Sequence, residues 1–239
     1  MIKVPPTIEI TPIPHDFAIV APEKVLSLDS DLDHKVEMAW QLEKEKRRGN
    51  VFDGSMLSFL RMERERLIGE YVPYKVFVAQ LVDSQLRKEL SICPVGVSGI
   101  VTAPGGVLMG QRSSLVTQYA GYYELSPSGS ISTDSLGMDG VVDFRMQLLV
   151  ELYEETRISP DQPTELRPFI LTKDKSNPTV DICCVIPVEG EVQFQTNEEY
   201  PVLEWLPYTD VRKFVEENST KIVPPTLAIL SVAEKRGWL

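Results

Sequence analysis

Residues Gln147–Ile158 read QLLVELYEETRI, and the rest of the chain is best understood outward from them. Glu151, Glu154 and Glu155 fall at i, i+3 and i+4. On a helix that spacing stacks three carboxylates on one face, with neighbouring Cβ atoms about 5–6 Å apart. A solvated helix relieves such repulsion with Lys or Arg one turn away. Here the outer i±4 neighbours of Glu151 and Glu155 are Gln147 and Ser159, and Glu154 has only Arg157 at i+3. Leu148, Leu149 and Leu152 give the opposite side an apolar stripe fit for a core. Hard divalent cations such as Mg²⁺ prefer clustered oxygen ligands of this kind. Taken alone, E-x-x-E-E is also the pattern of a plain acidic helix, because Glu is a good helix former.

The 239 residues suffice for a substantial core, and 43% hydrophobic with 25% charged residues is ordinary for a globular protein. The formal net charge of −11 disfavours general nucleic-acid binding and attraction to an anionic membrane. It leaves room for a small phosphorylated ligand bridged by metal. Cys93, Cys183 and Cys184 form no C-x-x-C pair, and their odd count predicts buried thiols in a reducing compartment rather than a disulfide framework. His15 and His34 lie far from the acidic stretch in sequence. The start, MIKVPPTIEI, has no apolar core of a signal peptide, so a cytoplasmic protein is expected.

In chain order, Ile8–Ile10 and Phe17–Val20 are expected as short edge strands, because prolines flank them. Residues 29–48 predict a helix with Leu32, Val36, Ala39 and Trp40 on its core face. A turn at Asn50–Gly54 leads into strands over Met56–Met62 and Arg66–Val72, and then one helix over Lys75–Leu90. Val95–Thr102 predicts a buried strand, Ala103–Gly106 a hairpin turn and Val107–Gln111 the returning strand. A long loop over 113–140 holds a short strand at Tyr122–Leu125, and the acidic helix follows over Val141–Thr156. Further strands are expected at Arg167–Leu171, Val180–Pro187, Glu191–Gln195 and Leu203–Leu206, with helices at Asp210–Glu217 and Pro225–Arg236. This order predicts an α/β fold with a sheet covered on both faces.

The ordered set VGVSGIVT, VLMGQRSS, Tyr123–Gly129 (YELSPSG), Val150–Ile158 (VELYEETRI), Glu204–Pro207 and VPPTLAIL resembles the Nudix hydrolase domain across residues 94–239. The resemblance implies an α/β/α sandwich with a mixed sheet over 93–239, preceded by a small α/β elaboration over 1–92. The elaboration is similar to that of Nudix enzymes that cleave UDP-sugars. Three departures stand out. Val150 occupies the place of the motif's arginine, and Arg157 that of its glycine. An insertion around Ile131–Gly140 leaves Asp139 and Asp143 as the acids nearest the motif's early glutamate.

The implied activity is metal-dependent hydrolysis of a nucleoside diphosphate linked to a sugar or similar moiety. The implied ligands of Mg²⁺ or Mn²⁺ are Glu151, Glu154 and Glu155, with a backbone carbonyl at Gly129 or Ser130. Glu154 and Glu155 carry the catalytic role, and the general base is Glu154 or a loop acid, Glu198 or Glu199. Arg112 reads equally as a phosphate partner or a surface ion pair. Among Tyr119, Tyr122 and Tyr123, one is expected to stack on a base or sugar. The resemblance also suggests a homodimer through the N-terminal hairpin. The alternative is a Nudix fold that binds a nucleotide or protein without catalysis.

Overall fold

The computed structural model describes residues 1–22, 26–47, 49, 51–116, 118–190 and 192–239. Two compact units result: Met1–Phe17, Gly96–Gly129 and Arg145–Leu239 form one, and Ala18–Val95 with Ser130–Phe144 form the other. Against the expected division after residue 92, the first seventeen residues group with the later unit. Residues 130–144 group with the earlier one.

The smaller unit holds β2 (Ala18–Val20), α1 (Ser30–Lys46), β3 (Ser55–Glu63), β4 (Arg66–Pro73), α2 (Tyr74–Val82), α3 (Ser84–Leu90) and β9 (Val141–Val142). Its sheet runs β3-β4-β2-β9, with β2 parallel to β4 and the other pairs antiparallel. Asp29 caps α1 by accepting from the amides of Asp31 and Leu32, and Val36, Ala39 and Trp40 are buried as expected. Leu32 is only partly buried against that core.

Three expectations are corrected in this unit. Lys75–Leu90 is two helices, because Asp83 leaves helical geometry (φ −123°, ψ 117°) and its side chain accepts from the amides of Gln85 and Leu86. An Asp that satisfies the free N–H groups of a new helix start outcompetes continuation. The strand at Ala18–Val20 is interior rather than an edge, with β4 on one side and β9 on the other. Pro14 and Pro22 lie outside its paired residues, so the ladder loses no donor. The acidic helix starts at Phe144, not Val141, because Val141 and Val142 pair with Val20 and Ile19. The expected insertion is thus built into this unit: Ile131 is fully buried, and its carbonyl accepts from Leu57 N at 2.9 Å.

The larger unit holds β1 (Ile8–Pro12), β5 (Val95–Ala103), β6 (Gly106–Gln111), β7 (Tyr123–Leu125) and β8 (Ser128–Ser130). There follow α4 (Phe144–Thr156), β10 (Arg167–Asp174), β11 (Thr179–Pro187), β12 (Val202–Pro207), α5 (Val211–Asn218) and α6 (Pro224–Lys235). The sheet order is β1-β10-β11-β5-β6-β12, with β7 also on β6 and β8 also on β5. β1 is an edge strand and tolerates Pro12 there. Residues 192–195 form no strand, and Glu191, Asn50 and Arg48 lie outside the described residues.

Alternation along β11 places the helices. Cys183 and Val185 pack in one cluster with Leu227, Leu230 and Ala233 of α6 and Val211 and Val215 of α5. Cys184 therefore faces the other side, and there it feels the charge of Arg145 on α4. The sheet is covered on both faces, as an α/β fold requires. Among the described residues no helix is long and apolar enough to cross a membrane.

α4 buries Leu148 and Leu152 completely, whereas Leu149 is half-buried and Val150 is exposed. The residue after it, Arg157, sits at φ 61°. That left-handed geometry is unfavourable for a residue with a Cβ, and Gly adopts it freely. Arg157→Gly is expected to raise the unfolding free energy by up to about 1 kcal/mol in urea titrations. A loss of stability would mean that the contact of the Arg157 guanidinium with the Tyr153 ring, 5.2 Å from its centroid, outweighs the backbone strain.

Candidate active site

α4 presents its carboxylates in three different settings. Glu155 is buried, and both its oxygens are held by neutral donors: Ser126 Oγ at 2.7 Å and Ser128 N at 3.2 and 3.3 Å. Glu151, one turn earlier, is half-buried and accepts from Gln147 Nε2 at 2.8 Å. Glu154 is exposed at the rim.

Room for these groups comes from two glycines. A β-carbon added at Gly129 would overlap the Glu151 carboxyl group, and one added at Gly96 would lie 2.6 Å from Asp181 Oδ1. The Gly129 carbonyl lies 3.0 Å from that same Gly96 position. Gly129 thus lies against the Glu151 carboxyl group, and Gly96 lies close to both the Gly129 carbonyl and Asp181.

A second acidic group faces the first from β7 and the segment after β11. Alternation sends Glu124 away from Tyr123 and Leu125, which pack with the α5–α6 cluster. Glu124 Oε2 accepts from Tyr200 OH at 2.8 Å and pairs closely with Arg112 Nη1. Tyr200 OH also lies 3.2 Å from Arg112 Nη1, and Arg112 Nη2 lies 3.4 Å from Glu199 Oε1. Arg112 is therefore a mostly buried hub rather than a surface ion pair. The edge toward Glu199 is the open one, since that carboxylate is 44% exposed.

The electrostatics follow from this crowding. Burial, with Glu154 and Glu199 adding, pushes Glu151 up to about 7 despite the Gln147 hydrogen bond. Burial raises Glu155 well above the usual carboxylate range, with Glu199, Glu124 and Glu151 adding to it. Asp181 is pushed up to about 7 by burial and by Glu124 and Asp174. Glu199 is raised by burial, partly offset by Arg112. These are carboxylates gathered faster than their compensating charges.

The structure brings together Glu151, Glu155, Gly129 and Arg112 from the sequence reading, and of the two loop acids it favours Glu199. Glu198 is exposed and Asp139 caps its own turn through Val141 N. Tyr119 and Tyr122 pair at 5.5 Å between centroids on the loop after Arg112, and Tyr119 OH reaches Asp174 Oδ2 at 3.4 Å. Tyr123 is a correction: it packs edge-on against Phe214 at 4.9 Å, on the core side of β7. Its strand position, one residue from Glu124, was the signal that only one of the two can face the site. Asp181, Glu124, Ser126 and Gln147 were missed. Glu124 alone had a sequence signal, as the acid within YEL on an apolar strand. Among the described residues no group of three or more His, Cys, Asp or Glu side chains is arranged to hold a metal ion.

No family model and no curated protein matches the chain. Its structure is similar to the Nudix domain of Shewanella oneidensis NrtR complexed with ADP ribose. The identity is 18%, with 62% of this chain and 91% of that one covered and a TM-score of 0.48. A MutT protein from Methanosarcina mazei Go1 is 16% identical over 59% and 95% of the two chains, with a TM-score of 0.42. A C. elegans Ap4A hydrolase is 17% identical over 58% and 96%, with a TM-score of 0.39.

The raised carboxylates have a thermodynamic consequence. In the unfolded chain Glu151 titrates near 4.5 and Asp181 near 3.8, whereas the folded protein holds these two protons up to about 7. The folded state binds more protons between those values, so stability is fullest below about 4 and falls as pH climbs to about 7. Metal-free protein in EDTA is expected to melt higher at pH 5.5 than at pH 8. Glu151→Gln is expected to shrink that difference. An unchanged difference in the variant contradicts the assignment of Glu151 as a source.

Proposed function

We propose that this chain hydrolyses a phosphoanhydride bond in a nucleoside diphosphate linked to a sugar or similar moiety, using Mg²⁺ or Mn²⁺. The observation that carries this reading is the gathering of Glu151, Glu155, Glu124 and Glu199, where burial first and neighbouring carboxylates second raise Glu151 and Glu155. The motif resemblance over residues 94–239 supports it.

The donor atoms are of the kind a hard divalent cation takes, although as placed the described carboxylates form no ready cluster of three. All its candidate ligands are oxygens, and the bare Gly129 backbone lies against Glu151. Glu151 and Glu155 would hold the ion, with Glu154 at the open rim and the Gly129 carbonyl beside them. When bound, the cation supplies charge neutralisation at the pyrophosphate and polarisation of a P–O bond.

The chain's own residues supply the rest. Ser126 and Ser128 fix the Glu155 carboxylate, so its orientation is set before ligand arrives. Glu199 stands half-exposed at the edge of the cluster with its proton affinity raised. A raised proton affinity suits a carboxylate to take a proton from water. The Arg112 edge facing Glu199 is where a phosphate oxygen competes for the guanidinium. Tyr119 and Tyr122 offer a half-buried aromatic surface to the base or sugar.

A second reading, a nucleotide- or protein-binding module without catalysis, is favoured by one observation. Val150, in the place of the motif's arginine, is 42% exposed and carries no charge to pair with the acids. In that case nucleotide ligands raise thermal stability without being consumed.

The discriminating experiment is product release from a panel of UDP-sugars, ADP-ribose, dinucleotides and deoxynucleoside triphosphates with Mg²⁺ or Mn²⁺. Metal-dependent release is expected for at least one class. Glu155→Gln is expected to lower kcat about a hundredfold or more with the fold intact by circular dichroism. Equal turnover in variant and wild type sinks the assignment of Glu155.

A further inference from the structure

The last turn of an α-helix leaves four carbonyls without intrahelical partners. In α4 these belong to Tyr153, Glu154, Glu155 and Thr156, the turn that carries two of the candidate acids. Arg157 N donates to Tyr153 O at 2.9 Å, and Gln195 N donates to Thr156 O at 2.8 Å. The two between them are taken by one side chain. Asn197 Nδ2 donates to Glu154 O and to Glu155 O, each at 3.0 Å.

The other end of the same carboxamide is also fully used. Asn197 Oδ1 accepts from Glu199 N at 2.9 Å and from Tyr200 N at 2.7 Å. Two donors and two acceptor sites are all that an Asn side chain has. Asp at this position lacks the donors, and Ser has too few groups. The orientation of the amide is fixed by chemistry, because a flipped carboxamide would aim its oxygen at two carbonyls and its N–H groups at two amides. Asn197 N closes the turn by donating to Tyr200 O at 3.1 Å.

We propose that Asn197 is a positioning residue, which fastens the 195–200 segment to the C-terminal turn of α4 and thereby sets Glu199 against Glu151 and Glu155. The placement runs through the two amides it binds. One belongs to Glu199 itself. The other belongs to Tyr200, whose fully buried ring and hydroxyl lead to Glu124 and Arg112. Ser113 N donates to Glu199 O at 2.7 Å, so the loop after Arg112 holds the same residue from its far side. A segment without helix or strand is in this way registered on the helix whose carboxylates it faces. The catalytic part of this role rests on the hydrolase reading, with Glu199 as base.

The test combines kinetics with amide hydrogen exchange on full-length wild type, Asn197→Ala, Asn197→Asp, Glu199→Gln and the Asn197→Ala/Glu199→Gln double variant. Kinetics use Mn²⁺ and the panel substrate that wild type turns over best. Asn197→Ala is expected to lower kcat about tenfold to a hundredfold, the range for residues that orient a reacting group, with KM changed little. In the Glu199→Gln background the same change is expected to cost less than twofold further, because its target is already gone. The Glu199 and Tyr200 amides are expected to lose exchange protection in Asn197→Ala.

Asn197→Asp keeps the acceptor for those two amides but not the donors to the helix, and decides the matter if the alanine variant fails to fold. It is expected to fall between wild type and alanine in kcat. Losses that multiply in the double variant overturn the positioning role, as does a lowered melting temperature with unchanged kcat. Unchanged exchange at Glu199 and Tyr200 overturns the fastening itself. A wild type silent across the panel overturns the hydrolase reading, and the catalytic role with it, while exchange still decides the fastening.

Discussion

Charge that is buried must be met by charge or by hydrogen bonds, and in this protein one end of a sheet gathers more carboxylates than it meets. Among the described residues Glu155 is enclosed with a hydroxyl and a backbone amide as its hydrogen-bond partners. Glu151 lies against bare glycine backbone with one amide donor. Arg112 faces the group but is drawn to Glu124 and Glu199. A fold tolerates such an arrangement at a cost in stability when the groups serve a ligand that neutralises them. Much of the local architecture follows from that constraint. Glycines at 96 and 129 clear space, and Ser126 and Ser128 turn toward the helix. The guanidinium is enclosed rather than left in solvent.

The helix that bears these acids is fixed from both sides. Leu148 and Leu152 anchor it by burial. Its exposed carbonyl end is finished by Arg157, Asn197 and Gln195. The first is a matter of hydrophobic burial and the second of hydrogen-bond accounting, and together they leave the acidic face little freedom to turn. That preorganisation is what electrostatic catalysis requires, because donors and acceptors that are already placed need no reorganisation at the moment of reaction.

The elements that follow from apolar runs and turns were legible in the sequence. The hairpin Val95–Gln111, the strands ending in Pro187 and Pro207, and the acidic helix itself lie within a few residues of their expected places. So were Glu151 and Glu155 as neighbours, since helical spacing alone dictates that. What was not legible depended on partners distant in sequence. Val141 and Val142 look helical until Ile19 and Val20 pair with them. Asp83 is the exception, because the amides its side chain caps, those of Gln85 and Leu86, are local. Glu124 and Tyr123 are adjacent letters, and only the sheet decides which of them faces the acids. Asn197 carries no local signal at all, because its four partners come from a helix forty residues away and from its own turn.

The central claim is the proposal that these carboxylates bind a divalent cation. Calorimetric titration of Mn²⁺ into metal-free protein at pH 6.5, repeated in two buffers of different ionisation enthalpy, tests it most directly. The account predicts saturable binding with proton release, because Glu151, pushed up to about 7, is partly protonated at that pH and must lose its proton to bind metal. Absence of binding, or binding without any buffer dependence, would contradict it.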